Sequence, residues 1–310
     1  MIAALFPGQG SQKPGMGRDL YDHIAVSRQV FDRVSSATGL DLAHICFESD
    51  EDALRETQRA QLALFTCGVA AHAALAEAGI SPTVMAGHSV GEYAALAAAG
   101  ILTIEDGARL VQRRGDLMAR SGQLRPGTMS AILGLDREAL EGVCRAASTA
   151  DEVAVVANDN CPGQLVISGD RTAVERANAM AIEAGAKRAL PLNVSGAFHS
   201  PLMVESAAAM GEALRQASFA PSSVTVYANV TASAQPDTAA WPELLEAQLK
   251  SAVRWTESVQ AMVANGVTTF IECGGGEVLC GLVRRVTKDV KTMAVYDQSS
   301  LAKAREEGQG

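Results

Sequence analysis

The sequence predicts an α/β fold in which a mostly parallel sheet carries helices on both faces and a smaller domain interrupts the larger one. The first observation behind this prediction is that short apolar runs alternate with longer segments whose apolar residues recur at helical spacing. The second is a change of rhythm in the middle of the chain, where strands and helices follow in the order β-α-β-β-α-β. With 310 residues and 48% hydrophobic content, the chain can build one large domain or two moderate ones.

The first part of the chain carries the alternation of strands and helices. The apolar run from Ile2 to Phe6 predicts a strand that ends at the turn residues Pro7 to Gly10. Val84 to Ala86 predicts a short strand that runs into Gly87-His88-Ser89. Apolar residues at helical spacing predict four helices, over 17–37, 58–78, 91–99 and 104–120.

The middle of the chain predicts a domain of its own. The predicted elements are strands over 129–134, 153–157, 164–168 and 188–192 and helices over 137–147 and 172–184. A loop is expected from Asn158 to Gly163, and turn-rich segments bound the whole run at Gly122 to Gly127 and at Asn193 to Gly196. The order of elements is that of a ferredoxin-like unit. We therefore predict an inserted small domain over 128–192 and a large domain over 1–127 and 193–310.

The larger pattern resumes after the insertion. Its predicted elements are helices over 200–217, 255–265 and 277–286 and strands over 224–227 and 267–272. The tail from Ala302 to Gly310 is polar, so we expect it to be frayed.

Composition excludes several classes of function. The formal net charge of -9 argues against nucleic acid or an anionic membrane as the main partner. The six cysteines show neither C-x-x-C nor zinc-ligand spacing, so we expect reduced thiols, no metal and no cofactor. The apolar run after Met1 has no basic segment before it, and no uncharged apolar run reaches the ~18 residues that span a bilayer. A monomeric cytoplasmic protein without a signal peptide is expected.

A candidate nucleophile lies in Gly87-His88-Ser89-Val90-Gly91, which fits the pattern G-x-S-x-G between a predicted strand and a predicted helix. A sharp strand-to-helix turn forces the serine into a strained backbone conformation and exposes its Oγ, and the helix N-terminus stabilises developing negative charge. The alternative is an ordinary turn between a strand and a helix, because so short a pattern also arises by chance in a glycine-rich chain.

A serine nucleophile needs a base, and the five histidines differ in their surroundings. His23 and His44 lie in polar segments, and His72 lies in an alanine-rich helix where it is expected to be packed. His88 is adjacent to the serine and is expected to support the turn. His199 lies between a predicted strand and a predicted helix, at the end of a sheet where catalytic residues are common, which makes it the candidate base.

Four motifs occur in an order that resembles a known family. They are Phe6-Pro7-Gly8-Gln9-Gly10-Ser11-Gln12, Gly87-His88-Ser89-Val90-Gly91-Glu92-Tyr93, Gln112-Arg113-Arg114-Gly115 and Gly196-Ala197-Phe198-His199-Ser200. Together they resemble the malonyl-CoA:acyl carrier protein transacylases and the acyltransferase domains of polyketide synthases, from residue 2 to about 295. The resemblance implies an α/β-hydrolase-like large domain with a parallel sheet, an inserted ferredoxin-like domain, and malonyl-CoA and an acyl carrier protein as partners.

The resemblance also implies roles for individual residues. Ser89 would carry the malonyl ester and His199 would be its base, while the backbone N–H groups of Gln9 and Val90 would form the oxyanion hole. Arg114 would hold the malonyl carboxylate, since a guanidinium offers the two-pronged geometry that this group needs. Further implied roles are a histidine-orienting main-chain carbonyl at Gln248 and pocket positions at Phe198, Asn158 and Asn160.

Other interpretations of these residues remain open. Without the resemblance, Arg114 beside Arg113 is an ordinary solvated helix charge. The chain also departs from the family, which often has Gly-Pro-Gly where Gly274-Gly275-Gly276 stands and Asn-Pro where Ser251-Ala252 stands, close to Gln248. A serine hydrolase usually places an acid before the histidine and has no use for Arg114. A non-catalytic carrier-binding subunit would not need Ser89.

An acyl carrier protein is acidic, so an acidic enzyme needs a local basic patch to dock it. The densest basic clusters outside the predicted active-site helix are Lys187 with Arg188, and Arg284 and Arg285 with Lys288. Such clusters are also ordinary solvated charges. We expect at least one of the two to border the active-site cleft.

Overall fold

The computed structural model describes residues 1–308, which form two β-sheets with helices packed against them. The strands of the first sheet, in spatial order, are β11 (Lys291–Val295), β10 (Thr269–Cys273), β1 (Ile2–Phe6), β2 (Val84–Gly87), β7 (Thr225–Ala228) and β8 (Ser233–Gln235). Every pairing in this sheet is parallel except that of β8, which is antiparallel to β7. The carboxyl ends of β1 and β2 therefore lie side by side, with Phe6 opposite Gly87.

Twelve helices accompany this sheet in the described part of the chain, and ten of them precede β10. These ten are α1 (Arg18–His23), α2 (Ala25–Thr38), α3 (Leu42–Glu48), α4 (Glu51–Arg55), α5 (Thr57–Glu77), α6 (Gly91–Ala98), α7 (Ile104–Leu124), and after the second sheet α10 (Val204–Gln216), α11 (Trp241–Gln248) and α12 (Trp255–Ala264). Two further helices, α13 (Val278–Val286) and α14 (Gln298–Gly308), follow β10 and β11. Separate buried clusters cover the two faces of the sheet, one around Phe6 and α5 and one around Leu5 and Trp255.

Helix α5 is the core helix of the first cluster. Within residues 1–308 it alone is long and apolar enough to cross a membrane, judged by length and composition. However, 78% of its most apolar window is buried inside the fold, so packing accounts for its apolar character.

The second sheet is built mainly from the middle of the chain. Its strands, in spatial order, are β6 (Arg188–Pro191), β3 (Gly127–Leu133), β5 (Gln164–Asp170), β4 (Ala154–Cys161) and β9 (Val253–Arg254). The first four are antiparallel neighbours, and α8 (Arg137–Ala147) and α9 (Arg171–Glu183) pack on them around a third buried cluster. Strand β9 pairs in parallel with Asn158 and Asp159 of β4, so a segment near the end of the chain extends this sheet.

The prediction of an α/β fold is confirmed, with mixed sheets and many helices, and most predicted elements recur within a few residues. The predicted loop from Asn158 to Gly163 is wrong in its first four residues, because Asn158 to Cys161 belong to β4. The register of β4 shifts between Val156 and Asn158 and again between Asp159 and Cys161, so the strand continues through polar residues at two bulges. The polar residues of this segment suggested a loop, but Asn158 and Asn160 are polar because they line a cavity.

Two helix predictions also need correction. The helix expected over 17–37 is two helices, because Ile24 adopts an extended conformation with φ -116° and ψ 111°. The tail expected to fray from Ala302 is part of α14, whose Leu301 and Ala304 are buried against the core and whose start is capped by the Asp297 side chain, 2.7 Å from the Ser300 nitrogen. Residues 309–310 of that prediction lie outside the described residues. The elements that were not predicted are strands β8, β9 and β11 and helices α3, α4, α11 and α14. The three strands are short or contain polar residues.

Candidate active site

Ser89 lies in a sharp turn between β2 and α6, as the motif predicts. Its φ of 54° is left-handed, a conformation that a non-glycine residue adopts only when its surroundings enforce it. A Cβ on Gly87 would lie 1.9 Å from the Gly91 carbonyl carbon, and one on Gly91 would lie 2.0 Å from the Phe6 oxygen. Both positions therefore exclude any side chain, and the turn can pass close to β1 only with glycine at both.

Asn229, which follows β7, braces this turn from the next strand. Its Oδ1 accepts a hydrogen bond from the Ser89 N–H at 2.8 Å, and its Nδ2 donates to the Gly87 oxygen at 2.6 Å. The side chain is 1% exposed, so water does not compete for these bonds. The strained serine backbone is thus held by the chain on both sides and by a buried amide.

His199 is placed as a base for this serine. Its Nε2 lies 2.8 Å from Ser89 Oγ, and its Nδ1 lies 2.8 Å from the Gln248 main-chain oxygen. A carbonyl only accepts, so Nδ1 carries the proton and Nε2 is left to accept the serine proton. Burial, followed by the charge of Arg114, lowers the pKa of His199 to about 3, so the imidazole is neutral at neutral pH.

Arg114, on α7, is the third group at the serine. It is 1% exposed, and its Nη2 donates to Ser89 Oγ at 3.0 Å and to Gln248 Oε1 at 2.9 Å. Its Nη1 donates to Gln61 Oε1 at 2.7 Å, and the guanidinium carbon lies 5.8 Å from the centre of the Tyr93 ring. Burial lowers the pKa of Arg114, but a guanidinium remains charged in proteins. The alternative of an ordinary solvated helix charge is therefore excluded, because Arg114 is a buried cation beside the nucleophile.

The backbone N–H groups of Gln9 and Val90 lie at the same site. Among residues 1–308, neither group donates a hydrogen bond, and both residues line the cavity that contains Ser89. Val90 is the first residue of the turn into α6, where helix N–H groups have no partner in the helix. The two free donors are what an oxyanion next to Ser89 requires.

The cavity has a volume of about 350 Å³ and lies between the two sheets. The remaining predicted pocket residues, Phe198, Asn158 and Asn160, all line it. Asn160 Oδ1 lies 2.9 Å from His88 Nε2, so His88 contacts the small sheet and turns away from Ser89, as the sequence predicts. Apolar side chains also line the cavity, namely Met118, Met129, Ala131, Val166, Leu192 and Val194. Every predicted site residue except Gln248 therefore lines one cavity, and Gln248 lies behind it, in contact with Arg114 and His199.

The sequence prediction missed a group of buried polar residues behind this cavity. They are Gln61, Glu92, Tyr93 and Asn229, each at most 1% exposed. The clearest signal was Glu92, an acid in the otherwise apolar helix α6, but an acidic residue in a first helical turn is also typical of a solvated position. The side chain of Gln248 likewise received no role, since only its main-chain carbonyl was assigned.

Known proteins resemble this chain along nearly its whole length. The family model described as "Acyl transferase domain" matches residues 4–303. A malonyl CoA-acyl carrier protein transacylase of Bacillus subtilis is 44% identical over 300 residues, which are 97% of this chain and 95% of that protein.

Solved structures agree with these matches. An acyl carrier protein S-malonyltransferase from Vibrio cholerae superposes with a TM-score of 0.94 at 41% identity, over 98% of this chain and 99% of that one. A malonyl-transacylase solved in complex with its type II PKS acyl-carrier protein gives a TM-score of 0.94 at 38% identity, over 99% of both chains.

Proposed function

The chain belongs to the acyl transferase family, and on that basis we propose that it transfers a malonyl group from malonyl-CoA to the phosphopantetheine thiol of an acyl carrier protein. The reaction serves fatty-acid or polyketide synthesis. The observation that carries this proposal is the position of Ser89 Oγ, 2.8 Å from a neutral histidine nitrogen and 3.0 Å from a buried guanidinium nitrogen. The first contact provides a nucleophile, and the second provides a partner for an acyl group that ends in a carboxylate.

In the first half-reaction, Ser89 Oγ attacks the thioester carbonyl of malonyl-CoA and gives its proton to His199 Nε2. The carbonyl oxygen becomes an oxyanion, and the N–H groups of Gln9 and Val90 are free to stabilise it, at about 2.7–4 kcal/mol for each donor. The carbon–sulfur bond then breaks, and the imidazolium returns the proton to the departing coenzyme A thiolate. The product is a malonyl ester on Ser89.

The second half-reaction runs through the same groups in reverse. His199 takes the proton of the carrier's thiol, the thiolate attacks the ester carbonyl, and Ser89 leaves with the proton from His199. Among residues 1–308, no buried carboxylate faces Nδ1. The Gln248 carbonyl holds the imidazole in one tautomer instead, at 2.8 Å. His199 thus serves both the coenzyme A thiol and the carrier thiol. Water must be excluded from the malonyl ester in the interval between the two half-reactions.

Arg114 gives the site its preference for malonyl. A charge-assisted contact of the malonyl carboxylate with the guanidinium is worth about 1.5–3 kcal/mol, whereas an acetyl group leaves the buried cation without a partner. Two of the five N–H donors of Arg114 have no acceptor among the described residues, namely Nε and one hydrogen of Nη1. Phe198 lines the cavity, and we expect its ring to exclude a branch on the α-carbon of the acyl group.

The two sheets correspond to two domains that both contribute residues to the cavity. We take the first sheet with its helices as an α/β-hydrolase-like catalytic domain, 1–127 and 193–310. The second sheet we take as an inserted ferredoxin-like domain, 128–192, because its four strands have the spatial order fourth, first, third, second. The cavity between the sheets then takes its nucleophile from one domain and its far wall from the other. A monomer that works in the cytoplasm is sufficient for this chemistry.

A labelling experiment separates this function from a serine hydrolase and from a non-catalytic carrier-binding subunit. The protein is incubated with radiolabelled malonyl-CoA and no acceptor. A transferase accumulates a stable malonyl ester that carrier thiol then discharges, a hydrolase releases free malonate, and a binding subunit does neither. Release of malonate at the rate of malonyl-CoA consumption would overturn the proposal.

A further inference from the structure

Glu92 lies directly behind the active site, and the reaction as described above gives it no part. It is the second residue of α6, three residues after Ser89, and it is 1% exposed. Its two carboxylate oxygens face different partners: Oε1 accepts from the Asn229 N–H at 2.6 Å, and Oε2 accepts from the side-chain nitrogen of Gln248. Buried carboxylates are costly and need a compensating charge and hydrogen bonds.

The hydrogen bonds of Glu92 decide which way the Gln248 amide points. An ionised carboxylate only accepts, so Gln248 must turn its NH2 group toward Glu92 and its oxygen away. The oxygen then meets Arg114 Nη2 at 2.9 Å, and the NH2 group also donates to the Ser89 main-chain oxygen at 3.0 Å. The main-chain oxygen of the same Gln248 accepts from His199 Nδ1. One residue thereby connects the cation, the serine backbone and the base.

The arrangement also explains how Arg114 remains charged while buried. None of the ion pairs formed within residues 1–308 includes Arg114, and the carboxylate whose charge acts on it is Glu92, on the far side of the Gln248 amide. A carboxylate in direct contact would occupy the guanidinium and compete with the substrate. A carboxylate one amide away stabilises the cation and leaves donors for an incoming malonyl carboxylate. Burial raises the pKa of Glu92, whereas the donors from Asn229 and Gln248 and the charge of Arg114 lower it. Both carboxylate oxygens face donors, so a proton on Glu92 would have no acceptor among these partners, and the hydrogen bonds hold the carboxylate in its ionised form.

We propose that Glu92 is a positioning residue that determines malonyl specificity, acting through the Gln248 amide as the remote counter-charge of Arg114. This inference rests on the proposed function, because it concerns how the same site selects its acyl group. Loss of Glu92 would reverse or loosen the Gln248 amide, so that Arg114 faces an NH2 group in place of an oxygen. The malonyl carboxylate would then meet a displaced cation, whereas an acetyl group would lose no contact to Arg114.

The test compares two substrates in the first half-reaction, with ester formation followed by intact-mass spectrometry. Glu92→Gln keeps the shape of the side chain but removes its charge. The new NH2 group would also face one of the two groups that donate to Glu92, the Asn229 N–H and the Gln248 NH2. We expect kcat/KM for malonyl-CoA to fall at least ~30-fold and kcat/KM for acetyl-CoA to fall less than ~5-fold, since only the former uses the charge-assisted contact. Glu92→Asp, which keeps the charge, should recover part of the malonyl-to-acetyl ratio. Glu138→Gln, an exposed acid in the first turn of α8, is the matched control and should behave as the wild type.

A second variant keeps the proposal testable if Glu92→Gln does not fold. In Glu92→Gln/Gln248→Glu the pair is exchanged, so the buried charge is retained but the carboxylate now contacts Arg114 directly. We expect a folded protein, by thermal unfolding, with a malonyl-to-acetyl ratio at least ~10-fold below that of the wild type. Equal losses for the two substrates in Glu92→Gln, or a wild-type ratio in the exchanged variant, would overturn the role of Glu92. A wild-type protein that forms no ester with malonyl-CoA would overturn the proposed function instead.

Discussion

Ser89 and His199 both have a left-handed backbone, with φ of 54° and 57°, yet the chain holds them by different means. The conformation of the serine depends first on its neighbours in sequence, because Gly87 and Gly91 permit a turn that no side chain would allow, and Asn229 then braces that turn. The histidine is fixed by a distant segment: its N–H donates to the Leu249 oxygen at 3.1 Å and its Nδ1 to the Gln248 oxygen at 2.8 Å. Local constraints of the first kind leave a motif in the sequence, and contacts of the second kind do not.

The largest effect on activity is expected at Ser89, whose conformation depends on its neighbours in sequence. Ser89→Ala removes only one oxygen, so the fold should persist while the covalent intermediate cannot form. We expect no malonyl adduct by intact mass after incubation with malonyl-CoA, and a far-ultraviolet circular dichroism spectrum like that of the wild type. Ser299→Ala, at an exposed serine, is the control that should still acquire the adduct. An adduct on Ser89→Ala would assign the nucleophile to another residue.

Replacement of Arg114 tests a residue whose partners, Gln61 and Gln248, are distant in sequence. Arg114→Ala removes the partner of the malonyl carboxylate, so kcat/KM for malonyl-CoA should fall roughly 10–100-fold. Acetyl-CoA should be used better than by the wild type, because the wild-type enzyme buries an unpaired cation when acetyl is bound. Steady-state kinetics with both substrates decide the matter. Comparable losses for the two would mean that Arg114 is structural.

How far the sequence could predict this site follows from the same comparison. Ser89 was recognisable because two glycines and a strand-to-helix transition are properties of the local sequence. The carbonyl of Gln248 could be assigned only through resemblance to a family, since every residue has a carbonyl and its position depends on where α11 ends. The side chains of Gln61 and Glu92 could not be assigned, because their partners come from α7, α11 and the segment after β7.

In the fold, too, the elements that depend on distant partners could not be predicted from the sequence. The alternation of strands and helices predicted the parallel sheet and the middle unit, because each element there has its own periodicity. The two-residue strand β9 could not be predicted, because it exists only through its pairing with Asn158 and Asp159 of β4. That pairing attaches the segment after Gln248 to the second sheet. The cleft wall and the support of the histidine are thus connected by a contact that has no sequence signature.

A smaller effect is expected in the pH dependence of acylation, where Arg114 influences the protonation of His199. Burial and then Arg114 lower the pKa of His199 to about 3, so the base stays neutral, and acylation should not decline between pH 7 and pH 5 as it would for a histidine with an ordinary pKa near 6.5. Without the cation of Arg114 the imidazolium forms more easily, so Arg114→Ala should move the acid limb to higher pH. The measurement is acylation by acetyl-CoA from pH 4 to pH 8, because acetyl brings no charge of its own. An acid limb at the same pH in both proteins would contradict the electrostatic effect of Arg114 on His199.

The smallest effect is expected at the surface, where the carrier must approach. The cluster of Arg284, Arg285 and Lys288 is exposed, and Arg285 Nη1 donates to Gln164 Oε1 at 2.6 Å. Gln164 lines the cavity that contains Ser89, so this cluster borders its mouth. Neither Lys187 nor Arg188 lines that cavity in the described structure. The first cluster is therefore the better candidate for the local positive patch that an enzyme of net charge -9 needs to dock an acidic carrier.

Charge reversal separates the two clusters. Exchange of Arg284, Arg285 and Lys288 for Glu should raise KM for the carrier about 10-fold at low ionic strength, and exchange of Lys187 and Arg188 for Glu should raise it less. The effect should shrink toward 0.15 M salt, where the Debye length is about 8 Å. KM for malonyl-CoA in the first half-reaction should change less, although coenzyme A is itself anionic and can use part of the same patch. If neither reversal changes KM for the carrier at low salt, docking is not electrostatic, and the carrier must recognise apolar surface at the rim of the cleft.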